Sequence, residues 1–189
     1  MYRARTRFRC EPVVSQGIRY AFAFGTYADA LRMVGTKTPP RYAGTAVSGA
    51  RIQHFAAMVR DPNPSYWDPG FASEVWGGLL APPAMLMGWL IPPPWSPTEQ
   101  PPTPSIAILV PLPGTTFINA SNDVEYLSPI VEGDRLHVVE QVVSVSPEKQ
   151  TRLGTGHFVE TRDEFHRGDG TLVAVNCNTL FRFTPAARP

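Results

Sequence analysis

The sequence DPNPSYWDP at residues 61–69, followed by GLLAPPAM at residues 78–85, determines how the first half of this chain folds. A run of apolar residues at helical spacing precedes it and begins after Ser48, a residue type that favours helix N-caps. Because a proline moves the residue before it away from helical angles, Pro62 predicts that this helix ends near Arg60. The stretch therefore separates a helix from a segment punctuated by prolines.

Prolines in this stretch also predict where further helices begin, since proline is tolerated in the first turn of a helix. Pro69-Gly70 opens a short helix through Trp76, and Pro82-Pro83 opens another that runs to Trp89. Residues 26–33 are a further short helical candidate nearer the N-terminus. The first half of the chain is thus predicted to be helical.

The second half of the chain carries the pattern of strands, with β-branched residues and glycine-containing turns. The sequence HRGDG at residues 166–170 is a hairpin turn of the kind that glycine permits. Helices followed by a run of long antiparallel strands define the α+β class. The predicted strands are residues 106–112, 116–126, 134–145, 151–165 and 171–183.

Prolines dominate residues 91–105, and proline cannot donate the hydrogen bonds of a helix or a sheet. This segment is predicted to be an extended surface loop. A linker between two domains is the alternative, but the apolar residues on both sides need each other to form one core. We therefore predict an arm with a short helix at residues 1–46, one domain at residues 47–186 and a tail at residues 187–189.

Composition excludes several classes of protein. The chain has 189 residues, 43% of them hydrophobic, and a formal net charge of +1, whereas a nucleic-acid-binding protein usually has a basic excess. No stretch has the roughly 18 uninterrupted apolar residues of a membrane helix. Cys10 and Cys177 lie far apart and near no histidine cluster, which predicts a cytoplasmic protein with neither a disulfide nor a metal site.

The motif at residues 61–66 resembles the D-x-N-P-x-H signature of the MaoC-like dehydratase and hydratase branch of the hot-dog fold. Asp61 fills the position of its catalytic Asp, and Tyr66 stands where its catalytic His is expected. Residues 124–134, 153–159 and 180–183 resemble later strands of the family, in particular the non-catalytic half of two-subunit steroid side-chain enoyl-CoA hydratases. The resemblance covers residues 47–186 and implies a long central helix wrapped by a curved antiparallel sheet.

The resemblance implies hydration of a 2-enoyl thioester without a cofactor, which requires a base, a proton donor and a hydrogen-bond donor for the thioester oxygen. Tyr66 is a poor base because the pKa of a phenol is near 10. Catalytic family members have a His-Gly step whose N–H faces the thioester, but Pro82-Pro83 stands there and has no N–H to donate. The next backbone N–H along the chain is that of Ala84.

The implied function is therefore a substrate-binding subunit that has lost its own catalytic pair. Its partner, a second MaoC-like chain, would supply the intact Asp/His pair in a hetero-oligomer built on hot-dog dimers. The substrate would be a bulky 2-enoyl-CoA, such as a steroid side-chain thioester. A hydratase or thioesterase that acts alone through Asp61, and a non-enzymatic acyl-CoA binding module, are the alternatives.

The candidate site residues each have a structural role as an alternative. Asp61 is either a catalytic residue or a helix cap, and Asn63 either contacts the ligand or forms a turn. Arginines 3, 5, 7 and 9 form an exposed edge strand or a frayed arm, or bind the phosphates of coenzyme A. The candidates for substrate binding are Asn63, Tyr66, Ala84, Met85 and Trp89. As alternatives, Tyr66 lies at a dimer contact, and Met85 and Trp89 pack in the core.

Overall fold

The computed structural model describes residues 22–92 and 105–186. The predicted arginine-rich arm, most of the proline-rich loop at residues 91–105 and the tail at residues 187–189 lie outside the described residues. In the described part of the chain, none of the helices is long and apolar enough to cross a membrane.

Six strands of the described residues form one antiparallel sheet in the order β1-β3-β5-β6-β2, with β4 paired to β5. The β5–β6 hairpin turns at residues 168–171, where Gly170 has a φ of +87° that other residues rarely adopt. The strands are β1 (Arg41–Tyr42), β2 (Thr116–Tyr126), β3 (Leu136–Val145), β4 (Lys149–Gln150), β5 (Gly154–Arg167) and β6 (Leu172–Pro185).

Short helices pack on one face of this sheet, and they are α1 (Tyr27–Leu31), α2 (Gly49–Val59), α3 (Pro64–Trp67), α4 (Pro69–Trp76) and α5 (Ile106–Leu109). Two 3-10 turns, Pro83–Met85 and Met87–Leu90, lie between α4 and α5. The predicted helix after Ser48 is confirmed as α2, and it ends where Arg60 takes a left-handed φ of 55°. Thr26 caps α1 through a hydrogen bond from the N–H of Asp29.

Two predictions about the helical layer are wrong, although the α+β class is confirmed. Residues 82–89 form the two 3-10 turns instead of the predicted short helix, and Gly88 lowers the helix propensity there. The predicted strand at 106–112 begins as helix α5. Its first N–H donates to the buried carboxylate of Glu140 at 2.7 Å, and the Ser105 side chain accepts from the N–H of Ala107.

The core lies between the helices and the inner face of the sheet, in two apolar clusters. The first joins α2, α4 and the 3-10 turns to Val138 and Phe165. The second joins α1 and α5 to Val142 and other residues farther along the strands. Because side chains alternate along a strand, Val138, Glu140 and Val142 share this face, so a polar residue lies between the two clusters.

Candidate functional site

The loop that follows α2 carries the Asp61 motif and is fixed by local hydrogen bonds. The carboxylate of Asp61 accepts a hydrogen bond from the N–H of Asn63 at 3.0 Å. The side chain of Asn63 accepts from the N–H of Ser65 at 3.0 Å and thereby caps α3. These are turn-forming contacts of the kind that Asp and Asn commonly make, so both side chains have a structural role.

Two tryptophans hold the same loop against the helices. The indole N–H of Trp67 donates to the carbonyl of Asp61 at 2.8 Å. The indole N–H of Trp76, on α4, donates to the hydroxyl of Ser65 at 3.0 Å. The loop is therefore held in one conformation by contacts to its backbone and to its own side chains.

Tyr66 lies inside the first apolar cluster, with 6% of its surface exposed. Burial raises the pKa of its phenol above the ordinary value of 10, and the negative charge of Asp61 raises that pKa further, while a hydrogen bond from Asn63 acts in the opposite direction. The phenol is thus protonated at neutral pH and cannot remove a proton from water. Asp61 nevertheless lies close enough for its charge to act on the Tyr66 phenol, so the two side chains share one local site.

A cavity of about 330 Å³ lies between the helical layer and the segment that follows β2. Ligand pockets for drug-sized molecules measure about 300–1,000 Å³, so this cavity is at the small end of that range. The hydroxyl of Tyr126 donates to the carbonyl of Pro83 at 2.9 Å and joins the two walls. One wall is residues 80–83 with Trp76, Leu86 and Trp89, and the other is residues 126–130.

The sequence-predicted residues fall in two places. Trp89 lines the cavity, whereas the side chain of Met85 is buried in the first apolar cluster and Ala84 is exposed, and neither is in the cavity wall. Asp61, Asn63 and Tyr66 also lie outside that wall. Their part in substrate binding stays a prediction.

Sequence reasoning missed the second wall of the cavity, residues 126–130. The sequence YLSPI there was available as a signal, because it places apolar residues and a proline directly after a strand. Trp89 also borders a second cavity of about 430 Å³, where the Arg51 guanidinium lies 4.5 Å from the centre of its ring.

Strand β2 forms an edge of the sheet in the described part of the chain, since it pairs there with β6 alone. Most of its residues are exposed, including Phe117 and Ile118. An exposed edge presents unpaired N–H and C=O groups that another strand can join. This edge is a candidate surface for a partner chain.

The antiparallel sheet, the helical layer and the Asp61 loop together define a MaoC-like hot-dog protein of the dehydratase and hydratase class. The family described as "FAS1-like, dehydratase domain region" matches residues 32–176, and the chain belongs to this family.

Two relatives extend this finding. The chain is 30% identical over 153 residues to a "Probable enoyl-CoA hydratase alpha subunit" of Thermomonospora curvata. This alignment covers 77% of this chain and 48% of the relative. It is 26% identical over 153 residues to a "3-oxo-4,17-pregnadiene-20-carboxyl-CoA hydratase alpha subunit" of Mycobacterium tuberculosis, covering 79% of this chain and 49% of the relative. The chain therefore spans about half the length of these relatives.

Solved structures confirm the hot-dog fold. A chain in the crystal structure of the ChsH1–ChsH2 complex from Mycobacterium tuberculosis matches with a TM-score of 0.65 at 24% identity. The match covers 86% of this chain and 91% of that one.

Proposed function

We propose that this chain is the substrate-binding, catalytically degenerate subunit of a heteromeric (R)-type enoyl-CoA hydratase. The observation that carries the proposal is the state of Tyr66, which occupies the position of the motif's His. Hydration requires a group that exchanges a proton near neutral pH. A buried phenol whose pKa is raised above 10 cannot be that base, so the pair that begins with Asp61 is incomplete within this chain.

The chain also offers few hydrogen-bond donors for the thioester oxygen, which is the second catalytic requirement. A hydratase stabilises negative charge on the thioester oxygen with hydrogen-bond donors aimed at it. Pro82 and Pro83 have no N–H, and the carbonyl of Pro83 is an acceptor that already receives the hydroxyl of Tyr126. This arrangement supports a chain that contributes shape and apolar contact rather than catalytic groups.

The apolar cavity beside Trp89 supports binding of the acyl part of a bulky thioester. Its walls come from the helical layer and from residues 126–130, and both are mostly hydrocarbon. The steroid-related substrate in the name of the Mycobacterium tuberculosis relative is consistent with a bulky acyl group here too. The alpha-subunit names of both relatives and the open edge of β2 support a second hot-dog chain as partner. We further propose that the assembly is cytoplasmic.

The decisive experiment compares the purified chain with its complex. The chain is produced alone and together with a hot-dog protein from the same genome that carries an intact D-x-N-P-x-H motif. Hydration of crotonyl-CoA and of a bulky enoyl-CoA is then measured by the loss of enoyl absorbance. We expect no turnover by the chain alone and turnover by the complex, which is lost when the partner's motif Asp or His is replaced.

A matched pair of variants separates a binding role from a catalytic one. Asp61→Asn should leave turnover by the complex nearly unchanged, as should the control Asp68→Asn. Asp68 is an exposed carboxylate in the same segment that caps α4, and asparagine caps equally well. Turnover by the chain alone that Asp61→Asn abolishes and Asp68→Asn preserves would contradict the proposal.

The charge interaction between Asp61 and Tyr66 favours one alternative, an enzyme that acts alone. In that case Asp61 would be the base and the Tyr66 phenol the proton donor. Tyr66→Phe distinguishes the two, because it abolishes turnover only if the phenol donates a proton. Binding of acyl-CoA without turnover, with or without a partner, would instead indicate a non-enzymatic binding module.

A further inference from the structure

A band of polar side chains crosses the inner face of the sheet between the two apolar clusters. The strand register places Glu140 opposite Asp163, and Asp163 opposite Asn176, so the three share one face across β3, β5 and β6. The next inward-facing row places Thr161 opposite Asn178. We call these five residues the polar band.

The band is unusual because the inner face is otherwise the core of the protein. Asn176 and Thr161 are each 1% exposed, and Glu140 is 6% exposed. A buried polar group without a hydrogen bond costs about 1–3 kcal/mol in mutational data, so such groups are nearly always paired. A band of five in this position therefore requires a physical reason.

Only some of the polar atoms in the band have hydrogen-bond partners within the protein. Both oxygens of Glu140 have partners, one in the Arg41 guanidinium at 3.1 Å and one in the Ile106 N–H at 2.7 Å. The Asn176 amide N–H donates to one oxygen of Asp163 at 2.9 Å, and this bond fixes the orientation of the amide. Its carbonyl oxygen therefore points elsewhere.

Four buried oxygen atoms of the band have no hydrogen-bond partner in the part of the chain that the structure describes. They are Thr161 Oγ1, Asp163 Oδ1, Asn176 Oδ1 and Asn178 Oδ1. Three of them only accept hydrogen bonds when Asp163 is ionised, and the fourth is a hydroxyl that both donates and accepts. The Thr161 hydroxyl lies near Asp163 and can donate to it. A ligand that complements the amide oxygens of Asn176 and Asn178 must therefore bring an N–H or O–H of its own.

The band is buried at Glu140, Thr161 and Asn176 and comes closer to the surface at its other two residues. Asp163 and Asn178 are half-buried rather than buried. Asn122, on β2, lies opposite Asn178 in the register and is exposed, and its side-chain oxygen lies 3.4 Å from the Asn176 amide nitrogen. The band thus has a buried end at Glu140, and its other end, Asn178, lies next to the exposed Asn122.

The charges and neighbours of the band define the class of ligand. Glu140 is paired with Arg41, but the Asp163 carboxyl repels phosphate and carboxylate, so the coenzyme A phosphates do not fit here. An ammonium group would have to lose its water between two apolar clusters, at a cost that one half-buried carboxyl offsets poorly. An alcohol hydroxyl on a hydrocarbon fits both features, since its single O–H donates to one of the free amide oxygens while the hydrocarbon packs on the apolar residues.

We propose that the polar band is a binding site for a hydroxyl group carried by the acyl part of the ligand. The proposal rests on the proposed function, in that the ligand is an acyl thioester. It adds that this chain prefers oxygenated acyl groups, with Thr161, Asp163 and Asn176 as the residues that determine the preference.

The test measures binding of a matched ligand series to the full chain by calorimetry. The probes are dodecanoyl-CoA and its monohydroxy derivatives with the hydroxyl at each position from carbon 4 to carbon 12, since a hydroxyl at carbon 3 is that of the hydration product itself. We expect at least one derivative to bind about fivefold more tightly than dodecanoyl-CoA, which corresponds to one net hydrogen bond. Thr161→Val and Asn176→Leu should each abolish that preference and leave the affinity for dodecanoyl-CoA within about twofold.

Thr179→Val is the matched control, because Thr179 lies on β6 on the opposite face of the sheet from Asn178 and Leu180. It should preserve the preference. If dodecanoyl-CoA binds and no hydroxylated derivative binds more tightly, the polar band holds only water and this proposal is refuted while the proposed function stands. If no acyl-CoA binds at all, the proposed function fails and this proposal fails with it. The series with the unmodified chain decides the question even if a variant does not fold.

Discussion

Asp163→Asn is expected to stabilise the protein at neutral pH and to flatten the pH dependence of its stability. Burial raises the pKa of the Asp163 carboxyl from 3.8 to about 6, and the charge of Glu140 raises it further. The Asn176 hydrogen bond, the nearby Thr161 hydroxyl and the charge of Arg41 act in the opposite direction. A carboxyl with a raised pKa binds its proton more tightly in the folded state than in the unfolded state. Stability therefore falls as the pH rises between these two values.

The difference between a pKa of 3.8 and one of about 6 corresponds to about 3 kcal/mol at neutral pH. Asparagine has no charge to bury and still offers an oxygen, so Asp163→Asn should recover much of this energy at pH 7.5 and little at pH 3.5. Urea unfolding of the full chain and of the variant across this range measures the effect as a change in the slope of stability against pH.

Asp123→Asn, which changes an exposed carboxylate on β2, is the control for a general charge effect and should leave the slope nearly unchanged. The reasoning is refuted if the Asp163→Asn variant keeps the slope of the original chain, or if it loses stability at pH 7.5 as much as at pH 3.5. The second result would mean that the ionised carboxylate is stabilised in the fold.

Three further substitutions test the contacts that build the site. Tyr126→Phe removes the hydroxyl that donates to Pro83, and it should lower the free energy of unfolding in urea by about 0.5–1 kcal/mol. It should also speed the dissociation of acyl-CoA in stopped-flow measurements. Unchanged dissociation would mean that this bond does not restrict the cavity. Tyr66→Phe should change the unfolding free energy by less than about 1 kcal/mol, whereas Tyr66→Ala should cost about 3–5 kcal/mol by leaving a void in the core; equal effects would show that the hydroxyl is structurally essential. Glu140→Leu leaves the half-buried Arg41 guanidinium and the Ile106 N–H without their carboxylate, and it should cost about 1–3 kcal/mol by thermal or urea unfolding. No loss would mean that both groups find other partners.

Elements whose boundaries depend on local chemistry were predictable from the sequence. Pro62 ends α2 close to the expected position, and β2 has the predicted bounds, Thr116–Tyr126. The Asp61 loop was also predictable, because its turns are made by side chains within a few residues of each other.

Elements that depend on distant contacts were not predictable in the same way. The sequence pattern of residues 106–109 predicts a strand. In the structure these residues begin a helix, because the carboxylate of Glu140, 34 residues away, accepts a hydrogen bond from the N–H of Ile106. The cavity escaped prediction for the same reason, because its two walls are joined by residues far apart in the sequence. Tyr126 donates to Pro83 across 43 positions, and the N–H of Ala81 donates to the carbonyl of Ile130 at 2.8 Å. Alternation along β5 shows Thr161 and Asp163 on one face, but only the strand register shows that Asn176 and Asn178 complete a band with them.

The polar band also distinguishes between the functions considered for this chain. A protein that served only as a scaffold for a partner would be more stable with apolar side chains at these positions, since they would fill the same space without unpaired oxygens. The ionised carboxyl of Asp163 makes this cost largest near neutral pH. The Asp61 loop, in contrast, holds its polar groups in ordinary turn contacts, and Tyr66 stands at the position of the motif's His. Polar groups without protein partners therefore lie in the sheet rather than in the motif, which supports ligand binding at the sheet and catalysis by a second chain.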